Sequence, residues 1–247
     1  MNFIFPMGGL SSRFTKAGYR VPKFQLEVDG TTVFERSVVG FHRFFAGHSF
    51  IFAYRGGAET ADFITEKCLS LGIPRANLKL VSLERVTSGQ AETVQIALDE
   101  AGVADDATIM IFNIDTFQTD YVLPDAFDVE RIDGYLEVFV AEGTHWSFVE
   151  PGDSNTVLRV TEKKRISNLC SSGLYYFRRA GDFRTAYAKT LSMAAEALSG
   201  GERYVAPLYN DLIAQGADIR YNLVADDRLT FCGTPAEYEQ LIAAKST

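Results

Sequence analysis

Along the first half of the chain, apolar runs of strand length alternate with segments whose apolar residues recur at helical spacing. No other feature restricts the fold as much. Residues 2–6 form a short apolar run that reads as a strand. Phe34, Val38, Phe41 and Phe45 fall at i, i+4, i+7 and i+11, one face of a helix over 34–45. Residues 49–54 read as a second strand, and Ile64, Cys68 and Leu71 mark the next helix, stopped by Gly72 and Pro74. A strand over 78–83, a helix over 90–101 ending at Gly102, and a strand over 107–112 continue the series. Strands that alternate with helices are joined by right-handed crossovers, which predicts a Rossmann-like three-layer α/β/α fold around a parallel sheet.

After residue 120 the rhythm changes. Residues 134–141, 156–161 and 172–178 read as strands with no helix between them, so the sheet becomes mixed while staying mostly parallel. A long helix carries Phe183, Tyr187, Leu191 and Leu198, and a shorter one covers 207–215. Thr234, Pro235 and Glu237 predict a capping box that opens the last helix. The 34–45 helix has more aromatic surface than one sheet contact uses; core packing is the first expectation, and a subunit interface in a homo-oligomer the second. With no internal repeat or linker, one domain is expected over residues 1–247.

A net charge of −8 argues against a nucleic-acid partner. The longest apolar runs are too short for membrane insertion, and the start MNFIFPMGG has neither a basic region nor a small-residue cleavage site of a secretory signal. Cys68, Cys170 and Cys232 lack the spacing of a disulfide framework or a zinc site and fit a reducing, cytoplasmic setting. His42, His48 and His145 share no ligand spacing. An acidic protein that handles anionic substrates must gather its basic residues locally, and glycine-rich stretches containing Arg or Lys are where that can happen.

Four segments carry chemistry. Gly8, Gly9, Leu10, Ser11, Ser12 and Arg13 directly follow the first strand, and Pro22-Lys23 closes the loop. Glycines there let backbone N–H groups approach phosphate oxygens, and two fixed cations suit a triphosphate. The segment is neither a Walker loop nor the three-glycine dinucleotide fingerprint. Asp115 follows the strand over 107–112, at the carboxyl edge where α/β sheets bind ligands, and could hold Mg²⁺. Around Thr87-Ser88-Gly89-Gln90, Thr87 and Gln90 read as a capping box, and Gly89 implies close approach of something to the backbone, a base or ribose among the candidates. Glu162-Lys163 precedes the glycine-bearing aromatic strand with Gly173 and could serve a sugar hydroxyl and a phosphate. Trp146 reads as core first and as a sugar-stacking ring second.

In this order the segments resemble the sugar-phosphate nucleotidylyltransferase (NDP-sugar pyrophosphorylase) family, and the closing Gly233-Thr234-Pro235 with Glu237 and Tyr238 resembles its C-terminal motif. The resemblance implies a Mg²⁺-dependent enzyme that joins an NMP unit from an NTP to a small phosphorylated acceptor, a sugar phosphate above all, in surface polysaccharide supply. It implies a nucleotide-binding half over about 1–120 and an acceptor-binding half over about 121–247. Gly8, Gly9 and Ser12 would line the nucleotide, and Arg13 and Lys23 would neutralise the triphosphate. Gly89, with Gln90 or Glu84, would meet base or ribose, and Asp115 would ligate Mg²⁺. Glu162 and Lys163 would hold the sugar and its phosphate, with Gly173 leaving room for it. Two positions depart from the family: Ser11 stands where a third glycine is usual, and Phe231 stands where a second metal-binding Asp is usual, with Asp226 or Asp227 as substitutes nearby. The alternatives are a GT-A-type glycosyltransferase and a non-catalytic nucleotide-binding regulatory module.

Overall fold

The computed structural model describes residues 1–244 apart from Ala195 and Ala197, and of Ser199 and Asp226 the backbone alone. The first half contains β1 (Asn2–Met7), α1 (Ser12–Lys16), the short hairpin β2 (Glu27–Val28) and β3 (Thr31–Thr32), and α2 (Val33–Val39). It continues through β4 (Ser49–Tyr54), α3 (Ala58–Leu71), β5 (Leu78–Ser82), α4 (Gln90–Glu100), β6 (Ile109–Ile111) and β7 (Thr116–Gln118). The second half adds β8 (Gly134–Val140), β9 (Ser147–Pro151), β10 (Val157–Glu162), β11 (Leu169–Phe177), α5 (Ala180–Thr190), α6 (Tyr209–Ala214), β12 (Ile219–Leu223), β13 (Leu229–Phe231) and α7 (Pro235–Ala243).

The main sheet runs β10-β9-β11-β6-β1-β4-β5, with β8 beside β11 and β12 beside β8. Strands β6, β1, β4 and β5 are mutually parallel, and β11 joins them antiparallel through β6. The sheet is therefore mixed, as the loss of intervening helices after residue 120 implies.

Both faces of the parallel part are buried, and β1 shows how the sequence achieves it. Phe3 and Phe5 face the core shared with α2 and α3, where they stack on Phe50 and Phe52 at centroid distances of 4.8 and 5.0 Å. Ile4 points the other way, into the core under α4 and α5. Each of these side chains is fully buried, and each such burial contributes roughly 1.5–3 kcal/mol.

Several boundaries differ from the sequence expectation. The helix over 34–45 breaks: α2 stops at Val39, and a 3₁₀ turn covers His42–Phe44. Gly40 lies against the backbone of Gln118, where any Cβ would come within 2.2 Å of its carbonyl oxygen, and its own carbonyl accepts from Tyr121 N–H. Phe34, Phe41 and Phe45 are buried all the same, so their surface is core. Helix α5 ends at Thr190 and does not reach Leu191 or Leu198, because Thr190, Ser192 and Arg203 side chains donate to the carbonyls of its last turn. The capping box expected at Thr87 and Gln90 is absent. Gly89 is the N-cap, Thr87 Oγ1 bonds Thr93 Oγ1 at 2.7 Å, and Glu92 accepts from Ser88 N–H. The capping box of Thr234 and Glu237 is present in full, with Pro235 in the first turn.

Candidate active site

A cavity of about 610 Å³ opens beyond the carboxyl ends of β1 and β6. It gathers the glycine-rich loop, Arg13, Lys23, the start of α4, Asp115, the β11 segment from Ser171 to Gly173, and residues around Trp146, Glu162, Glu202, Tyr204 and Gly233.

The loop keeps a glycine-like path without the third glycine. Ser11 takes a left-handed conformation (φ 50°, ψ 28°) as it enters α1. That geometry costs a non-glycine residue on the order of 1 kcal/mol. In return Ser11 Oγ accepts from Lys23 N–H at 3.4 Å, which ties the Pro-Lys segment to the loop. Gly8 has a packing reason: a Cβ would press within 2.9 Å of Leu83 and 3.0 Å of Thr93. Lys23 Nζ donates to the Asp115 carboxylate, so two residues 92 positions apart meet in the cavity.

Gly89 and Gly173 are required, but by the protein itself. A Cβ on Gly89 (φ 140°) would lie 2.5 Å from Arg203 O and 2.6 Å from Arg203 N. The close neighbour is a backbone ladder in which Arg203 N–H donates to Ser88 O and Ala91 N–H donates to Arg203 O. A Cβ on Gly173 (φ 91°) would collide with the Asn113 side chain at 2.1 Å. Asn113 Oδ1 in turn accepts from Gln90 Nε2 at 2.6 Å. The register of β11 against β8 shifts between Ser171 and Tyr175, so the strand bulges where it lines the cavity.

Glu162 ends β10 with its side chain only 6% exposed and accepts from Ser147 Oγ. Burial pushes its carboxyl above the usual range, against the opposing bond from Ser147. Lys163 lies outside the cavity lining; its ammonium donates to Tyr204 OH and sits 4.5 Å from the Tyr204 ring centroid. Lys163 thus buttresses a ring that does line the cavity. Glu84 is exposed and also lies outside the lining. Gly8, Gly9, Ser12, Arg13, Lys23, Gly89, Gln90, Asp115, Glu162 and Gly173 all contribute to it.

Asn113, Ser147, Glu202 and Tyr204 also line the cavity and carry no motif in the sequence that marks them as site residues. Glu202 and Tyr204 lie in an irregular stretch with no periodicity to draw the eye, whereas the Asn113 contact with Gly173 was signalled by the glycine alone. Trp146 is partly buried and packs at 5.0 Å from Phe231 and edge-on at 5.1 Å to Phe139. Phe231 is therefore one ring of an aromatic cluster on the cavity wall. Asp227 is exposed and does not line the cavity, and the Asp226 side chain lies outside the described residues.

Among the described residues no group of three or more His, Cys, Asp or Glu side chains could cage a metal ion. Of the cavity carboxylates, Asp115 is the one contributed by the glycine-loop half, and one carboxylate is compatible with Mg²⁺, which keeps several waters and is commonly shared between one or two carboxylates and substrate phosphates. No helix among the described residues is long and apolar enough to cross a membrane.

No protein-family model and no curated protein matches the chain. Among solved structures, a nucleoside-diphosphate-sugar pyrophosphorylase from Vibrio cholerae RC9 is 42% identical, with 98% of this chain and 99% of that chain covered and a TM-score of 0.90. Two more distant structures share the fold. A protein described as a glucose-1-phosphate thymidylyltransferase, from Bacillus anthracis, is 16% identical over 98% of this chain and 94% of its own, TM-score 0.75. An inositol-1-phosphate CTP transferase from T. maritima is 15% identical over 98% and 94%, TM-score 0.72. On identity, coverage and fold together, the chain belongs to the nucleoside-diphosphate-sugar pyrophosphorylase family of sugar-phosphate nucleotidylyltransferases.

Proposed function

We propose that the chain transfers an NMP unit from an NTP to a sugar 1-phosphate or similar small phosphate, releasing pyrophosphate. The observation that carries this reading is the meeting of Arg13, Lys23 and Asp115 with Glu162 in one cavity. An acceptor phosphate oxygen attacks the α-phosphorus in line; a P–O bond forms as the α–β bridging P–O bond breaks, and pyrophosphate leaves with the electron pair. The acceptor phosphate is already anionic at neutral pH, so the step needs positioning and charge stabilisation and no general base. Arg13 and Lys23 supply that stabilisation at the phosphates. Asp115 would hold Mg²⁺, which when bound supplies further neutralisation of charge on the phosphate oxygens.

On the acceptor side, Glu162, fixed by Ser147, accepts from a sugar hydroxyl, and the Trp146–Phe231 wall offers an apolar face to the ring. Lys163, which holds the Tyr204 ring and approaches Glu162 to 4.0 Å, supports the acceptor side. A place in surface polysaccharide supply belongs to this reading by analogy with short relatives. Family membership leaves nothing in favour of the glycosyltransferase alternative. The regulatory-module alternative keeps one supporting observation, the aromatic Phe231 where a metal carboxylate is usual in the family.

The test is pyrophosphate release with ATP, GTP, CTP, UTP and dTTP against a panel of sugar 1-phosphates and other small phosphates, with Mg²⁺. Release for one pairing is expected, and Asp115→Asn should abolish it. NTP binding with no release across the panel would overturn the catalytic reading and favour the regulatory one.

A further inference from the structure

The residues that follow β6 alternate in direction. Phe112 and Ile114 are buried in the core, so Asn113 and Asp115 turn the other way, partly exposed, and line the cavity. Asp115 takes Lys23 as its partner. Asn113 stands between the two halves of the site. Its Oδ1 accepts from Gln90 Nε2 at 2.6 Å, at the start of α4 on the nucleotide side. Its Nδ2 lies over Gly173, at the bulge of β11 on the acceptor side, where a Cβ would collide with it.

The bond from Gln90 fixes which way the Asn113 amide faces, because only the amide oxygen can accept. Nδ2 then carries two N–H donors. Among the described residues it bonds no protein group, and it is not sealed from solvent. The N–H groups of the bulge itself are already used: Gly173 N–H donates to Ser171 Oγ at 3.1 Å and Leu174 N–H to Ser172 Oγ at 3.3 Å. The carboxylates on this side, Glu162 and Glu202, accept when ionised. A polyhydroxylated ligand has oxygens that need donors as well, and Asn113 Nδ2 is a neutral donor without a partner.

We propose that Asn113 selects the acceptor: its Nδ2 donates to a hydroxyl or ring oxygen of the sugar. The choice of a sugar phosphate as ligand rests on the nucleotidyl-transfer reading, whereas the free donor does not. Gln90 orients the amide from the nucleotide half, so the start of α4 also sets the geometry in which the acceptor is read. A sugar whose oxygen sits elsewhere leaves the amide N–H unpaired, which turns one hydrogen bond into discrimination between epimers.

The experiment titrates the intact protein calorimetrically with the 1-phosphates of glucose, galactose, mannose and N-acetylglucosamine, without NTP, and separately with each NTP. The parent should bind at least one sugar phosphate saturably and rank the set. Asn113→Ala should raise the Kd of the preferred sugar phosphate by roughly five- to ten-fold and narrow the ranking, while the Kd of the tightest NTP stays within about two-fold. Asn113→Asp, of the same shape, still accepts from Gln90 but has no donor. It should lose at least as much sugar-phosphate affinity as Asn113→Ala, and more than it loses for NTP. No saturable binding of any of the sugar phosphates, parent-like affinity in Asn113→Ala, or an Asn113→Asp that matches the parent would each overturn the proposal. So would equal losses for sugar phosphate and NTP. Pyrophosphate release measured beside the titrations separates the two readings. The expected affinities without turnover in the parent sink the transfer and leave Asn113 its role; turnover with an Asn113→Ala that binds like the parent does the reverse.

Discussion

The two halves of the chain give the cavity unlike surfaces. Residues up to 116 bring glycine-rich backbone, two cations and one carboxylate. Residues from 145 onward bring Glu162, Glu202, Glu237, one histidine and the rings of Trp146, Tyr175, Tyr204 and Phe231. The first surface suits a polyphosphate, whose charge is fixed and whose shape recurs. The second suits a polyhydroxylated or mixed partner, read by acceptors and flat apolar faces. The halves also differ in construction: the first sits at the ends of parallel strands, whereas the second is shaped by a bulged antiparallel strand and an irregular segment around 202–204. The charged groups of the first half sit in loops and short helical turns after the strands, whereas Ser147, Glu162, Tyr175 and Phe231 of the second half sit on strands.

The sharpest way to break this division is at its cation. Lys23→Met should lower turnover by roughly 10²–10³-fold with folding retained, as expected for loss of a preorganised charge at the phosphates. Near-normal single-turnover rates would remove Lys23 from the chemistry.

Beneath the second surface lies a buried acid. Burial pushes Glu137 up to about 7 from an ordinary 4.5, against the opposing bonds from Ser172 and Gln118. The folded state thus holds a proton that the unfolded chain releases. The contribution of Glu137 to stability is greatest below pH 4.5 and is lost as pH rises through about 7, on the order of 3 kcal/mol in all. Glu137→Gln should flatten that slope, so that its stability relative to the parent increases between pH 5 and 8 in urea titrations. An unchanged difference across the range would mean that Glu137 does not titrate there.

Glu162→Gln probes the acceptor surface directly. The KM for the acceptor should rise by roughly ten-fold, the loss of a charge-assisted hydrogen bond, while the KM for NTP stays put. An equal rise in both would dissolve the division between the halves. The smallest effect belongs to the loop. Ser11→Gly should relieve the left-handed strain and raise stability by up to about 1 kcal/mol in thermal unfolding, with turnover close to the parent's. A clear loss of turnover would mean that the Ser11 to Lys23 bond matters more than the strain.

Legibility in the sequence follows the same division. Strands β1, β4, β5 and β6 and helices α3 and α4 could be read because apolar period and glycine stops coincide with regular hydrogen bonding. The break in the 34–45 helix could not be, since it depends on Gln118 approaching Gly40 from 78 positions away. Strands β7, β9, β12 and β13 are short or polar on one face and gave no strong alternation. Among the site residues, those in glycine-rich or strand-end motifs were visible, while Glu202 and Tyr204 become site residues only through packing. Gly89 and Gly173 carried a correct signal of close approach, but the groups that approach are Arg203 backbone and the Asn113 side chain.

The most direct test of the central claim, that both surfaces serve one transfer, is to follow the fate of the α-phosphate. With an α-³²P-labelled NTP and the sugar 1-phosphate that gives turnover, the label should move into a nucleoside-diphosphate sugar, with one pyrophosphate released per label transferred. Label that stays in bound NTP, or appears as free NMP whether or not the acceptor is present, would contradict it.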